Sequence, residues 1–222
     1  MLLDDHIILL HGLEMCLGGS NDIHVVGSFS SSQLLIAALR EQPVDLVLLD
    51  YSLGPEEIDG LNLIRLLKVR FPNLKLLIIS ASHNPATVAM VLRYGGDGFI
   101  GKEADPTQLP IAVRQVAAGG GYLSQEMTNL LYEHEISTDF NKTLEPPEGV
   151  SGESILTANS SLTAREHEVL RCCLDGQSVT QIAEKFSRSV KTISSQKQSA
   201  FKKLGLKSDN ELFKMRHQLG VI

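Results

Sequence analysis

Along residues 1–120, short apolar runs alternate with longer stretches of helical period. His24–Ser28, Asp45–Asp50, Lys75–Ser80 and Gly98–Lys102 are brief and apolar, and each closes on a small or polar residue. Strands buried on both faces of a parallel sheet read this way. Between them, Ile7–Leu17, Ser30–Arg40, Gly60–Arg70, Pro85–Tyr94 and Pro106–Ala118 carry apolar residues at helical spacing. Serines stand ready to cap the second of these, Pro85 suits a helix start, and Gly95 suits a stop. The alternation predicts an α/β fold: a doubly wound parallel sheet with right-handed crossovers.

The pattern changes after residue 122. Leu123–Glu135 predicts one more helix. Residues 136–160 are rich in Ser, Thr, Glu, Pro and Gly, lack a period, and predict a flexible linker. Then Thr163–Leu174, Val179–Phe186, Val190–Leu204 and Asp209–Leu219 each fit a helix, broken by Asp175-Gly176, by Ser187–Ser189 and by Gly205. The expected organisation is an α/β domain over 1–122, a helix and linker over 123–159, and a small all-α domain over 160–222.

Charge sharpens this division. The chain carries a net charge of −6, but residues 161–222 alone carry 11 bases against 6 acids. Between Glu184 and Asp209 there are seven bases and no acid. A compact basic tail behind an acidic body suits an anionic partner, nucleic acid first. No apolar run approaches the ~20 residues that span a bilayer. The start, Met1 to His6, is acidic where an export signal is basic. Cys16, Cys172 and Cys173 make no disulfide framework. These features lead us to expect a cytoplasmic chain with no membrane partner.

Ligands of doubly wound sheets sit at the carboxyl ends of the strands. There the order is an acid pair (Asp4, Asp5), an acid (Asp50), a hydroxyl (Ser80) and a lysine (Lys102). Singly, each has a plain explanation as a cap or a solvated end. Gathered together, three carboxylates repel one another until a cation joins them. Such an oxygen-rich set suits Mg²⁺, and Lys102 and Ser80 add groups that neutralise or bond a phosphoryl group.

With Phe99 three residues before Lys102, this set resembles a bacterial two-component receiver domain over residues 1–120. The resemblance implies that Asp50 is the phosphoacceptor. It also implies that Asp5, Asp50 and the Ser52 carbonyl bind Mg²⁺ with help from Asp4. Lys102 and Ser80 would hold the phosphoryl group, and Phe99 would be the switch aromatic. Two departures stand out: only Met1–Leu3 precede Asp4, and Glu103 occupies the position after the lysine where a proline is usual.

In the basic segment, Val179–Phe186, the Ser187–Ser189 turn and Val190–Leu204 form a helix-turn-helix pattern. On the second helix Val190, Ile193, Ala200, Phe201 and Leu204 predict the inner side. Lys191, Ser194, Ser195, Gln198 and Lys202 fall outside, with Lys197 beside them. Hydroxyls and amides reach base edges, and lysines hold phosphates. The run Leu162-Thr163, Arg165-Glu166, Gly176, Ile182-Ala183, Ser189, Lys191-Thr192-Ile193 and Lys203-Leu204-Gly205 resembles the LuxR/FixJ-type DNA-binding domain.

A receiver joined to this module resembles a NarL/FixJ-type response regulator, with Lys191–Lys197 and Pro106–Pro110 similar to the Rcs subfamily. The resemblance implies a flavodoxin-like receiver and a major-groove helix in which Thr192 also faces DNA. It further implies promoter DNA, a histidine kinase or phosphotransfer protein and RNA polymerase as partners, and a homodimer or heterodimer. A phosphorylation-independent auxiliary regulator, acting by heterodimerisation, is the alternative that the short first strand suggests. A phosphohydrolase is disfavoured, because Ser52 stands where a general acid would be wanted. Gly96–Gly101 matches G-x-G-x-x-G but runs into a strand, so no dinucleotide site is expected.

Overall fold

The structure is a computed structural model that describes residues 1–81, 84–131 and 162–214. It divides into two compact units, residues 1–81 with 90–124, and residues 125–222 with the short stretch 82–89.

The first unit holds five parallel strands, β1 (Leu2–Leu3), β2 (Ser28–Phe29), β3 (Leu46–Asp50), β4 (Lys75–Ser80) and β5 (Gly98–Gly101), in the order β2-β1-β3-β4-β5. Its helices are α1 (Ile7–Gly18), α2 (Ser32–Glu41), α3 (Gly60–Arg70) and α5 (Gln108–Ala117), while α4 (Pro85–Arg93) begins in the stretch 82–89 and ends in this unit. The strand order reverses at β1, and the crevice at that reversal is where such sheets bind ligands. Burial explains the apolar runs: Val47, Leu76, Leu77 and Ile78 are fully inaccessible in the central strands. Leu10, Leu13 and Leu17 of α1 join Leu109, Ala112, Val113 and Val116 of α5 in a core under one face of the sheet.

Helix ends follow local chemistry. Ser31 caps α2 by accepting from Gln33 N. From the β3–α3 loop, Glu57 adds a second cap, its Oε2 accepting from Ser32 N (2.8 Å) and Ser32 Oγ (2.5 Å). A Cβ on Gly98 would lie 2.9 Å from Val116 Cγ2, so close helix–sheet packing accounts for that glycine. With β5 beginning at Gly98 and no helix opening at Gly101, the G-x-G-x-x-G match is structural.

One element departs from expectation. The second strand does not occupy His24–Ser28; it is the two residues Ser28–Phe29. The reason lies in its partner. Two residues of β1 pair, Leu2 with Ser28 and Leu3 with Phe29, so the ladder that defines β2 is no longer than β1.

In the second unit, residues 125–131 form α6, within the predicted helix 123–135. The rest of that helix and the predicted linker 136–160 lie outside the described residues. Four helices follow: α7 (Ala164–Leu174), α8 (Val179–Lys185), α9 (Val190–Leu204) and α10 (Asp209–Lys214). Thr163 and Ser178 each form a complete capping box, and Ser189 caps α9. Gly205, at φ 68°, ends α9 in the left-handed conformation that glycine adopts freely. Ile182, Ile193, Ala200 and Leu212 are fully buried, with Cys172 and Cys173 in the same core.

Candidate functional site

Strands β1 and β3 pair in register, Leu3 beside Leu49, so the residues that follow them emerge side by side. Asp4 is fully buried, Asp50 is 2% exposed, and Asp5 sits nearer the rim with its side chain 30% exposed. Ser80 pairs with Gly101 across β4 and β5, and Lys102 N donates to the Ser80 carbonyl at 2.8 Å. That register carries the Lys102 side chain across the strand ends. Its Nζ donates to Asp4 Oδ2 at 2.7 Å and to Asp50 Oδ2 at 2.8 Å. Ser52 N donates weakly to Asp50 Oδ1, at 3.4 Å. The β3–α3 loop is held by fully buried Asp59, whose Oδ2 accepts from Leu53 N at 3.0 Å. Phe99 is buried on β5, beside Ile78 of β4.

Removing Asp50 from water pushes its carboxyl up, to about 7. The Lys102 charge and hydrogen bond oppose that rise, and the neighbouring Asp4 adds to it. Burial works against the Lys102 ammonium, but Asp50 and Asp4 outweigh it and hold its pKa above the usual lysine value. One lysine thus serves two buried carboxylates, and a third acid stands beside them. Asp5 Oδ1 is buried without a hydrogen-bond donor. An orphaned carboxylate oxygen beside two others fits a hard divalent cation.

His6 belongs to this set although the sequence reading passed over it. Its Nδ1 lies 3.1 Å from Asp4 Oδ1 and 2.9 Å from Asp5 Oδ1.

The basic helix forms a second candidate surface. On α9, Lys191, Thr192, Ser195, Gln198 and Lys202 are exposed, and Ser194 is half-buried. Lys197, beside that outer face, pairs through its Nζ with Asp209 Oδ1 of α10 at 2.5 Å and lies over the Phe201 ring at 5.4 Å. One expectation needs correction. Val190 does not face inward, being 48% exposed at the front of the helix. Arg165, part of the run that carries the LuxR-type resemblance, lines an open groove of about 650 Å³ with Thr163, Ser189, Lys191, Thr192 and Ser195. Lys203 turns the other way, donating to Glu166 Oε2 at 2.7 Å.

A parallel sheet ordered 2-1-3-4-5, with an acid triad and a lysine at its switch point, defines a receiver-type α/β domain. A helix-turn-helix unit with a polar, basic recognition face accompanies it. The comparisons agree. Residues 1–114 match the response regulator receiver domain, and residues 160–216 match the luxR family of bacterial regulatory proteins.

The chain belongs to the response regulators, in the NarL/FixJ-type group that pairs a receiver with a LuxR-type DNA-binding domain. It is 33% identical to the transcriptional regulatory protein RcsB of Escherichia coli (strain K12) over 210 residues, covering 94% of this chain and 89% of that protein. It is also 33% identical to the oxygen regulatory protein NreC of Staphylococcus aureus, covering 96% and 93%. Among solved structures, Salmonella typhimurium RcsB superposes with a TM-score of 0.78 at 32% identity, covering 99% and 96% of the two chains. RcsB bound to promoter P1flhDC with the phosphomimetic BeF3⁻ gives 0.75 at 32% identity, covering 100% and 97%. Among the described residues no helix is long and apolar enough to cross a membrane.

Proposed function

We propose that this DNA-binding transcriptional regulator is switched by phosphorylation of Asp50. The carrying observation is the Lys102 ammonium shared between Asp4 and Asp50, with Asp5 beside them. An Asp50 carboxylate oxygen attacks the phosphorus of a phosphohistidine on a histidine kinase or phosphotransfer protein. The P–N bond breaks, the histidine leaves, and Asp50 becomes an acyl phosphate. Asp5, Asp50 and the Ser52 carbonyl, with Asp4, are the residues that would hold Mg²⁺. Bound there, the ion would supply positive charge against the phosphoryl group.

Lys102 exchanges one Asp50 oxygen for a phosphoryl oxygen and holds the product. Ser80, at the adjacent strand end, donates its hydroxyl to the same group, and the buried Phe99 ring of β5 turns inward with that shift. Such a change biases a two-state surface toward the dimer.

The dimer engages promoter DNA through α9. Lys191, Lys202 and Arg165 hold phosphates, while Thr192, Ser194, Ser195 and Gln198 face base edges. Val190 offers an apolar surface for a thymine methyl group. RcsB structures with promoter DNA support this reading. We take the receiver as residues 1–122, the helix and linker as 123–159 and the DNA-binding domain as 160–222, bounds within which the family matches at 1–114 and 160–216 fall.

With acetyl phosphate and Mg²⁺, the wild-type chain gains one phosphoryl mass and Asp50→Ala gains none. Equal labelling of the two would reassign the acceptor. The auxiliary, heterodimerising reading rests on the two-residue β1. It predicts promoter binding that acetyl phosphate leaves unchanged.

A further inference from the structure

Glu57 stands in the β3–α3 loop, a few residues past Asp50, and its partner belongs to another element. Its Oε2 accepts from Ser32 N at 2.8 Å and from Ser32 Oγ at 2.5 Å, at the first residue of α2. Helix α2 follows β2, and the strands run in the order β2-β1-β3. The bond therefore reaches from beyond the end of β3 to beyond the end of β2, past the end of β1, where Asp4 and Asp5 stand. The same loop closes on those acids: a Cβ on Gly54 would lie 3.6 Å from Asp5 Oδ2. Lys102 crosses the strand ends from the opposite side, from β5 to Asp50 and Asp4.

Within the loop, Gly60 N donates to Tyr51 O at 2.9 Å, Leu53 N to Asp59 Oδ2 at 3.0 Å and Glu57 N to Gly54 O at 3.0 Å. Those bonds shape the loop by joining it to itself. The Glu57 carboxylate joins it to a second element. Ser32 is 1% exposed, and a carboxylate at a helix N-terminus is held by the helix charge as well as by its two donors.

We infer that Glu57 is a positioning residue: through Ser32 it holds the β3–α3 loop across the end of β1 and so sets how long the phosphate on Asp50 survives. This rests on the reading of Asp50 as the phosphoacceptor. The reaction it restrains is hydrolysis. The oxygen of a water molecule bonds to phosphorus, the P–O bond to Asp50 breaks, the carboxylate is restored, and the hydrogens of the water leave with inorganic phosphate. A loop tied down beside the pocket keeps water from the phosphorus, as closed loops do. Glu57 acts through the loop and not on the reacting atoms.

The test labels the full chain with acetyl phosphate and Mg²⁺, removes the donor and follows loss of the phosphoryl mass. The chains compared are wild type, Glu57→Ala, Glu57→Gln, Ser32→Ala, the double variant Glu57→Ala/Ser32→Ala and, as a charge control, Glu56→Ala, with thermal melts to confirm folding. Glu57→Ala is expected to shorten the lifetime of the phosphate about fivefold. Glu57→Gln, whose amide oxygen still accepts, and Ser32→Ala, which keeps its N–H donor, shorten it about twofold. Loss of Glu56, the exposed acid next in the loop, leaves it unchanged. The double variant decays no faster than Glu57→Ala, because both changes break one bond. A wild-type lifetime in Glu57→Ala, an equal loss in Glu56→Ala, or additive effects in the double variant overturns the inference. Where Glu57→Ala melts early, Glu57→Gln and Ser32→Ala carry the comparison, and wild-type lifetimes in both overturn it. A wild type that takes up no phosphoryl mass strikes the Asp50 reading and this inference with it, whereas unchanged lifetimes strike the inference alone.

Discussion

Ser187 sits in the turn between α8 and α9 with φ 51°, the one non-glycine residue in the left-handed region among those described. Its N–H donates to Glu184 O, and Arg188 N donates to Ala183 O, which closes the end of α8. A Cβ in this conformation costs roughly 1–2 kcal/mol, while a glycine returns part of that by loosening the unfolded chain. Ser187→Gly is therefore expected to raise the stability of the DNA-binding unit by about 0.5–1 kcal/mol, read as a higher urea midpoint. An unchanged or lower midpoint would show that the turn carries no strain. At this scale the sequence marked the turn and its length but not its handedness. Serine is compatible with many turns, and the backbone angle is imposed by the two helices it joins.

At the scale of elements, Glu166 ties α7 to α9. It closes the Thr163 capping box and accepts from Ser199 Oγ and Lys203 Nζ, each at 2.7 Å. Burial tends to raise its pKa. The Lys203 bond, then Ser199 and Thr163, overcome that and bring it from 4.5 to about 2. A carboxyl lowered by folding stabilises the fold above its unfolded value, and that stability drains away as pH falls toward the folded one. The contribution is at most about 3 kcal/mol, present above pH ~4.5 and lost towards pH ~2. Glu166→Gln should destabilise the unit by about 2–3 kcal/mol at pH 7. The gap from wild type should shrink below about 1 kcal/mol near pH 2, as denaturant titrations at both pH values would record. A gap independent of pH would mean that the charge contributes nothing. The capping box was not part of the sequence reading, although Thr163 and Glu166 stand at its spacing. The bridge to Lys203 could not be read, because it joins residues 37 apart.

For the whole molecule, the consequence concerns which bases meet DNA. Lys191 and Lys202 are exposed, whereas Lys197 is held by Asp209. Single Ala substitutions at Lys191 and Lys202 should weaken promoter binding and lower the salt slope by about 1 each. Lys197→Ala should change that slope by less than half as much, and binding measured across a salt series decides. An equal loss at Lys197 would show that DNA draws it away from Asp209. The linear order of residues carried the alternation of strands and helices, the five strand-end groups and the outer face of α9, because each depends on local period or on where a run of apolar residues stops. Tertiary structure alone decided the two-residue ladder of β2, the ring of His6 beside the acids, the capture of Lys197, the exposure of Val190 and the arrival of Arg165 beside α9. Each of these is an encounter between parts of the chain that local pattern does not connect, and partners met through folding redistribute charges that the sequence can only count.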